Sequence, residues 1–339
     1  MTWPARWLSL AATAFLAVGF AHGPAIGETK LRITTQLPLT TPLGQNLVRF
    51  KDLVEAESDG ELVVEIYPAA QLFTDKEVPG AVASGQIEMG SSSLARFAGT
   101  IPAVDIFNVP FLLDTPELVR AATEPDSPVR GPLDAAMTSK GARPLWWQPY
   151  GLSVLMTRDT VVRRPEDLKG LKVRTFGKAL EQFVNHVGGA ATNIGGSRQY
   201  LAYERGTVDG GMTGMQSVSE RKLYQVMNHL TVTNHSNIEF IVLINDRVWQ
   251  RLDPAFQALI SRAARTVEIE MRDALAEIEA EAYSLAEANG MSIHRLSATD
   301  LAAWQDATRG LKELYRTAAG PLGEQLLAAA EALRAASTP

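Results

Sequence analysis

The sequence predicts an α/β protein of two lobes bridged by one long helix, and three observations carry that prediction. Alternating strand-like runs are interleaved with helical periodicity, the pattern of parallel β–helix–β units. The chain has 339 residues, enough for two domains of ordinary size, each with a real core. Between Ala255 and Ala288 there is neither Gly nor Pro, and the segment is rich in Ala, Glu and Leu. Asp253-Pro254 supplies an N-cap with proline at the first helical position, and Asn289-Gly290 a stop. A helix of about 35 residues is roughly 50 Å long, more than one lobe spans. A dimeric coiled coil is the competing reading, but Arg262, Arg265 and Glu268 interrupt any apolar seam.

At the N-terminus, Arg6 precedes a weakly polar to apolar run from Leu8 to Ala21, followed by small residues. This reads as a signal peptide over residues 1–27, cleaved after Gly23 or Gly27. The run is about fourteen residues, short of the roughly twenty that span a bilayer. No other segment qualifies as transmembrane, and the absence of Cys excludes a lipidated anchor there. The mature protein is expected to be exported.

The elements follow in order. Leu31 to Gln36 alternates as a strand, and a helix from about Leu43 to Glu57 carries Leu43, Leu47, Phe50, Leu53 and Val54 on one face. Ser58-Asp59-Gly60 stops it, and Leu62 to Tyr67 is the next strand, giving a parallel unit with a right-handed crossover. Asp75 to Ser84 is helical, and Ile87 to Ser93 is a strand delivering a serine cluster. Ligand crevices in open α/β sheets lie beyond the carboxyl ends of strands. That rule makes the tip at Leu37 to Thr41, with Leu39, and the serines Ser91, Ser92 and Ser93 candidate pocket walls. A helix cap or plain turn is the ordinary alternative for such serines.

Ile101 to Leu113 is assigned to core, and Thr115 to Thr123 and Pro128 to Ser139 to helices. Arg143 to Gln148 and Leu152 to Thr157 are apolar strands near the crossing between lobes. Adjacent Trp146 and Trp147 point to opposite faces of a strand. One is expected in the core and the other, Trp147, with Tyr150 nearby, on the cleft. Gly210 to Gly214 is expected to start a helix running through Tyr224. Ile238 to Ile244 is a strand, as is Met291 to Arg295, and helices at 299–318 and 323–336 close the chain.

The net charge is −6 at pH 7 with no basic run, which argues against a nucleic-acid partner. Cysteine is absent, so disulfides and thiolate metal sites are excluded. His22 falls in the signal segment, and His186, His229, His235 and His294 are scattered without a metal-ligand spacing. Neither a Gly-x-Ser-x-Gly elbow nor a phosphate loop is present. Gly188-Gly189 and Gly195-Gly196 have the wrong intervals for a dinucleotide loop. Glu166-Asp167 and Asp209 read as a helix cap and a turn. No catalytic constellation, metal site or cofactor is therefore expected.

The most specific stretch runs from Glu166 to Gly214. Lys172-Val173-Arg174-Thr175 is a short strand after a Gly turn, with Arg174 at its end just before a helix from Lys178 to Val187. A guanidinium there is a fork of fixed donors suited to a planar carboxylate; a surface salt bridge is the alternative. Beyond it come Gly188-Gly189-Ala190, then Tyr200 to Gly210 ending in Val208-Asp209-Gly210, then Tyr224 to His235 ending in Thr233-Asn234-His235. In order and spacing these pieces resemble the solute-binding proteins of tripartite ATP-independent periplasmic (TRAP) transporters, in the dicarboxylate-binding DctP group. The likeness is close over about seventy residues and looser over nearly the whole mature chain.

That resemblance implies a two-lobed periplasmic binding protein fold, type II-like, with the long helix as a spine through both lobes. The lobes are expected at residues 28–151 with 240–279, and 152–239 with 280–339. It implies capture of a small organic acid between the lobes, pairing of its carboxylate with Arg174, and delivery to TRAP membrane subunits. Around Arg174 the expected ligand-binding set is Ser91, Ser92, Leu39, Trp147, Tyr150, Gly196, Met212, Thr213 and His235. This chain departs from the family pattern in three places. The family's frequent second arginine falls near Ser153, its ligand-packing aromatic falls near Gly196, and its Glu-Asn after Val-Asp-Gly is replaced by Met212-Thr213. The departures favour a monocarboxylate with an apolar or ring body on Trp147, unless Arg96 or Arg158 supplies a second cation. A C4-dicarboxylate or sugar acid bound by the same mechanism, a sensor-type binding protein, an exported hydrolase or lyase, and an interaction protein are the alternatives.

Overall fold

The computed structural model describes residues 28–337, so the expected signal segment lies outside the described residues. The first unit is β1 (Thr29–Thr35), α1 (Pro42–Glu57), β2 (Leu62–Tyr67), α2 (Val78–Ser84) and β3 (Met89–Ser93). β1 pairs in parallel with both β2 and β3. Helix α1 begins where expected because Thr41 accepts from the Gly44 N–H and proline occupies its first turn.

A 3-10 segment at Pro102–Asn108, then α3 (Pro116–Thr123) and α4 (Arg130–Ser139), lead into β4 (Ala142–Thr157). The second unit is β5 (Lys172–Thr175), α5 (Lys178–His186), β6 (Ala190–Asn193), α6 (Gln199–Glu204), β7 (Gly210–Gly214) and α7 (Met215–Glu220). Then follow β8 (His229–Val232), β9 (Asn237–Asn245), α8 (Asp246–Arg251), α9 (Pro254–Ala288), β10 (Ser292–Arg295), α10 (Ala298–Thr308) and α11 (Leu311–Ser337). The main strand order is β2-β1-β3-β9-β4-β7-β5-β6, with β8 joining β4 to β10.

β4 connects the two halves. It replaces the two separate strands expected from sequence. Its residues 142–152 pair with β9, while residues 153–157 pair with β7 and 155–157 with β8. The changeover is marked by a register shift between Pro149 and Gly151. Gly151 has φ +91°, and a Cβ there would lie 1.9 Å from the Glu279 carboxylate of α9. Both backbone and space require glycine at this bend.

The long helix runs as the spine the pattern implied. Leu259, Ile260, Ala263 and Val267 of α9 pack under β1, β2 and Trp146, while Ala282 and Ala286 pack with Met215, Leu223 and Met291 at the other end. Its 35 residues span roughly 50 Å, so one rigid rod serves both cores.

Two local expectations are corrected. Gly210 to Gly214 is a strand and not a helix start; the six residues of α7 and a 3-10 turn at Leu223–Gln225 follow it. The glycines there serve close packing. A Cβ at Gly211 would meet the Tyr203 hydroxyl at 2.0 Å and the Arg174 Cβ at 2.9 Å. Trp146 and Trp147 do face opposite sides of β4, but both are fully buried. Trp146 packs on Phe50 in a tilted pair, and Trp147 packs on Phe107, because helices and helical turns cover this sheet on both faces.

Candidate functional site

Arg174 lies at the carboxyl end of β5 and is only 3 % exposed. Its Nε donates to the Ile194 carbonyl at 2.8 Å and its Nη1 to the Met212 carbonyl at 2.7 Å. The guanidinium lies over the Phe176 ring, 5.3 Å from its centroid. It makes no ion pair with any carboxylate among the described residues. Burial is the main reason its pKa is pushed down to about 10, with Tyr203 opposing and Arg221 and Arg96 adding to the depression. At neutral pH it stays charged. Two carbonyl dipoles orient the fork and leave its charge without a counter-ion, an arrangement suited to an incoming anion.

Arg174 faces a narrow pocket between the two sheets. One wall comes from the carboxyl ends of β1 and β3, with Gln36 and Ser93, together with Asp75 from the segment before α2 and Arg96 from the 3-10 turn after β3. The other comes from β5, β7 and the turn after β6: Arg174, Phe176, Thr213 and Gly196, with Arg221 after α7. Tyr150 of β4 and Ile238 and Phe240 of β9 close the floor. Strand ends supply most of the walls, as the crevice rule requires. Arg96 donates to Asp75 Oδ2 at 2.5 Å, and Asp75 is held in turn by the Ser93 N–H at 2.9 Å. The Tyr150 hydroxyl donates to Glu220 at 3.0 Å.

Of the residues expected here, Arg174, Tyr150, Thr213 and Gly196 line the pocket. Met212 contributes through its carbonyl to Arg174, while its side chain is core. Ser91 and Ser92 stand behind the wall: Ser91 donates to Gln148 at 2.9 Å, and Ser92 to the Asp75 carbonyl at 3.0 Å. Their neighbour Ser93 is the serine that lines the space. Leu39 sits on the partly exposed tip, outside the lining, where its carbonyl accepts from Gln45. His235 is buried away from the pocket, its Nδ1 2.8 Å from the Thr233 hydroxyl and its ring stacked on Phe183. Burial pushes that imidazole down to about 3, so it is neutral.

The placement of Trp147 on the cleft is corrected. Its indole donates to Asp134 at 2.9 Å, and the Arg130 guanidinium lies 5.3 Å from its ring centre, deep in the core. Arg158, one of two candidates for a second cation, donates to the Tyr203 carbonyl and is not in the lining; Arg96, the other, is. Sequence reasoning missed Arg221. Its Nη1 donates to the buried Gln199 at 2.5 Å, and its guanidinium stands beside Gly196. The one available signal was Gly196 itself, a glycine where an aromatic was expected.

Comparison with known proteins agrees with this architecture. Residues 33–318 match the model of the family described as DctP, bacterial extracellular solute-binding protein, family 7. The C4-dicarboxylate-binding periplasmic protein DctP of Rhodobacter capsulatus is 28 % identical over 331 residues, 92 % of this chain and 98 % of that protein. Among solved structures, DctP7 of Bordetella pertussis, an extracytoplasmic solute receptor binding pyroglutamic acid, superposes with TM-score 0.85 at 21 % identity, over 89 % of this chain and 99 % of that one. The sugar acid binding protein DctPAm of Advenella mimigardefordensis, in complex with galactonate, gives TM-score 0.86 at 22 % identity, over 91 % and 99 %. These are receptors and not enzymes. The chain belongs to the DctP family of bacterial extracellular solute-binding proteins.

Proposed function

We propose that this protein captures a small organic acid between its two lobes and delivers it to the membrane subunits of a TRAP transporter. The acid's carboxylate pairs with Arg174. The observation that carries this reading is a buried guanidinium, fixed by two carbonyls, that faces a cleft and forms no ion pair with any carboxylate among the described residues. The relatives' ligands support the class, since pyroglutamic acid and galactonate are both acids. The first lobe is built on β1, β2, β3, β9 and the first part of β4, the second on β5 to β8, β10 and the remainder of β4. Closure over the acid gains contacts that the open form lacks, so ligand shifts the population toward the closed form. Residues 1–27 act as a cleaved signal for export to the periplasm. Among the described residues no helix is long and apolar enough to cross a membrane.

The expectation of a single carboxylate keeps its support in the absence of an arginine near Ser153, but the ring platform and the room at Gly196 do not hold. Trp147 is core, and Arg221 stands in the room beside Gly196. A thermal-shift screen of the mature protein against small organic acids tests the reading. Ligand at a thousandfold its dissociation constant adds about 4 kcal/mol, a shift of several degrees. Hits confined to carboxylates and lost in Arg174→Ala are expected. A folded, ligand-free protein unmoved by any acid would overturn the proposal.

A further inference from the structure

We propose that a second cavity, behind the β4 bend, is a binding site for a small organic cation: a primary ammonium on a short apolar body, with Glu279 as its counter-ion. The cavity has a volume of about 260 Å³ and lies between α3, the bend at Gly151 and Leu152, and the middle of α9. It is separate from the acid pocket. Along β9, Ile238 and Phe240 line the acid pocket, whereas Asn237 lines this cavity and Glu239 pairs with Arg272 of α9 at 3.0 Å. Successive side chains of a strand point to opposite faces, so β9 stands between the two spaces. The inference goes beyond the acid-binding reading and does not depend on it.

The lining sets the class of guest. Val119 of α3, Leu152 of β4, and Leu275 and Ala276 of α9 supply an apolar wall. The two guanidiniums beside them are already committed. Arg120 pairs with Asp273 at 2.8 Å, and Arg272 pairs with Glu239, whose carboxylate also accepts from Asn237 at 3.0 Å. An anion would have to break one of these pairs to be held here. Glu279 is the reverse case.

Glu279 forms no ion pair among the described residues. Its carboxylate accepts from the Leu152 N–H and lies against the bend, in the space that a side chain at Gly151 would occupy. The other titratable groups around it do not neutralise it. Tyr283 follows one turn on along α9 with the Arg295 guanidinium over its ring at 5.3 Å, and Glu117, in the first turn of α3, is an exposed acid. Burial pushes the Glu279 carboxyl up to about 7, so its charged form is the one that lacks a partner. An ammonium supplies that partner while its hydrocarbon covers Val119, Leu152 and Leu275. An uncharged guest of the same shape gains the apolar contact alone.

Titration calorimetry of the mature protein tests the site with benzylamine, with benzyl alcohol as its uncharged counterpart, and with ammonium chloride as the charge without the body. At pH 8 benzylamine is expected to bind at least about tenfold more tightly than benzyl alcohol, and ammonium more weakly than either. At pH 5, where Glu279 is protonated, the ratio of the first two falls toward one. Glu279→Gln removes the preference at pH 8, and Ala276→Phe, which places a ring in the cavity, removes binding of both. Each variant is first shown to melt cooperatively. Benzylamine that fails to bind at pH 8, binds no better than benzyl alcohol or ammonium, or keeps its affinity in both variants would overturn the inference. Acid binding in the same preparations is a separate readout: its loss leaves this site standing, and its presence does not rescue it.

Discussion

Two buried arginines in this molecule have opposite surroundings. Arg130, at the start of α4, donates to Glu268 of α9, to Asp134 at 3.1 Å and to the Thr123 carbonyl at 2.8 Å, and packs against Trp147. Arg174 is as deeply buried but is held by carbonyls alone. A guanidinium whose charge is met by the chain's own carboxylates is part of the scaffold. One whose donors are oriented while its charge is left open is prepared for a ligand. The same contrast explains why Trp147 is unavailable to the cleft: it is one wall of the Arg130 cluster.

The largest effect should come from breaking the scaffold pair. Arg130→Met removes the buried partner of Glu268, leaving it the more exposed Arg265 at 3.6 Å, and the cost is about 3 kcal/mol of stability, read from denaturant midpoints. Acid affinity of the folded fraction should be unchanged. A loss of binding at native stability would erase the distinction between the two arginines.

Arg174→Ala should do the reverse. Removing a buried charge without a carboxylate partner leaves the ligand-free protein no less stable, while acid binding weakens at least about thirtyfold, roughly 2 kcal/mol or more. Near-native affinity in a titration would remove Arg174 from its role. Arg96 combines both characters, since it pairs with Asp75 and lines the pocket. Arg96→Met exposes the cleft to the bare Asp75 charge, so acid affinity should fall about tenfold together with a modest drop in melting temperature.

The smallest effect sharpens the comparison with a carboxylate that has no ion pair among the described residues. Glu279 sits against the β4 bend, and burial pushes its carboxyl up to about 7 from an ordinary 4.5. The folded protein therefore binds this proton more tightly than the unfolded chain does. Its contribution to stability is full below the unfolded value and is lost as pH rises through the folded one. Glu279→Gln should match wild type near pH 4 and melt a few degrees higher by pH 8, in paired melts across that range. Parallel melting curves at all pH values would show that Glu279 does not titrate as its burial implies.

Much of the scaffold was legible because its signals are local. Asp253-Pro254 and Asn289-Gly290 bound α9, and the Asp253 side chain accepts from Ala255 as an N-cap should. Asp167 accepts the backbone N–H groups of Arg163 and Arg164, and Asp209 accepts that of Lys172, so both are turn and cap residues as their sequence context suggested. The position of Arg174 at a strand end followed from a four-residue alternation after Gly170. The glycines of β7 misled, because a glycine that permits close packing and one that starts a turn look alike in sequence.

By itself, then, the sequence determined the alternation of strands and helices, the spine helix, and the strand-end location of the arginine facing the cleft. These rest on periodicity, caps and turn chemistry, which act within a few residues. Tertiary structure alone decided that β4 passes unbroken between the sheets, that both tryptophans are core, and that Arg221 fills the space at Gly196. A strand's alternation says which side chains share a face, but not what covers that face. An empty glycine position says that something is missing, but the side chain that fills it arrives from a distant helix end through space.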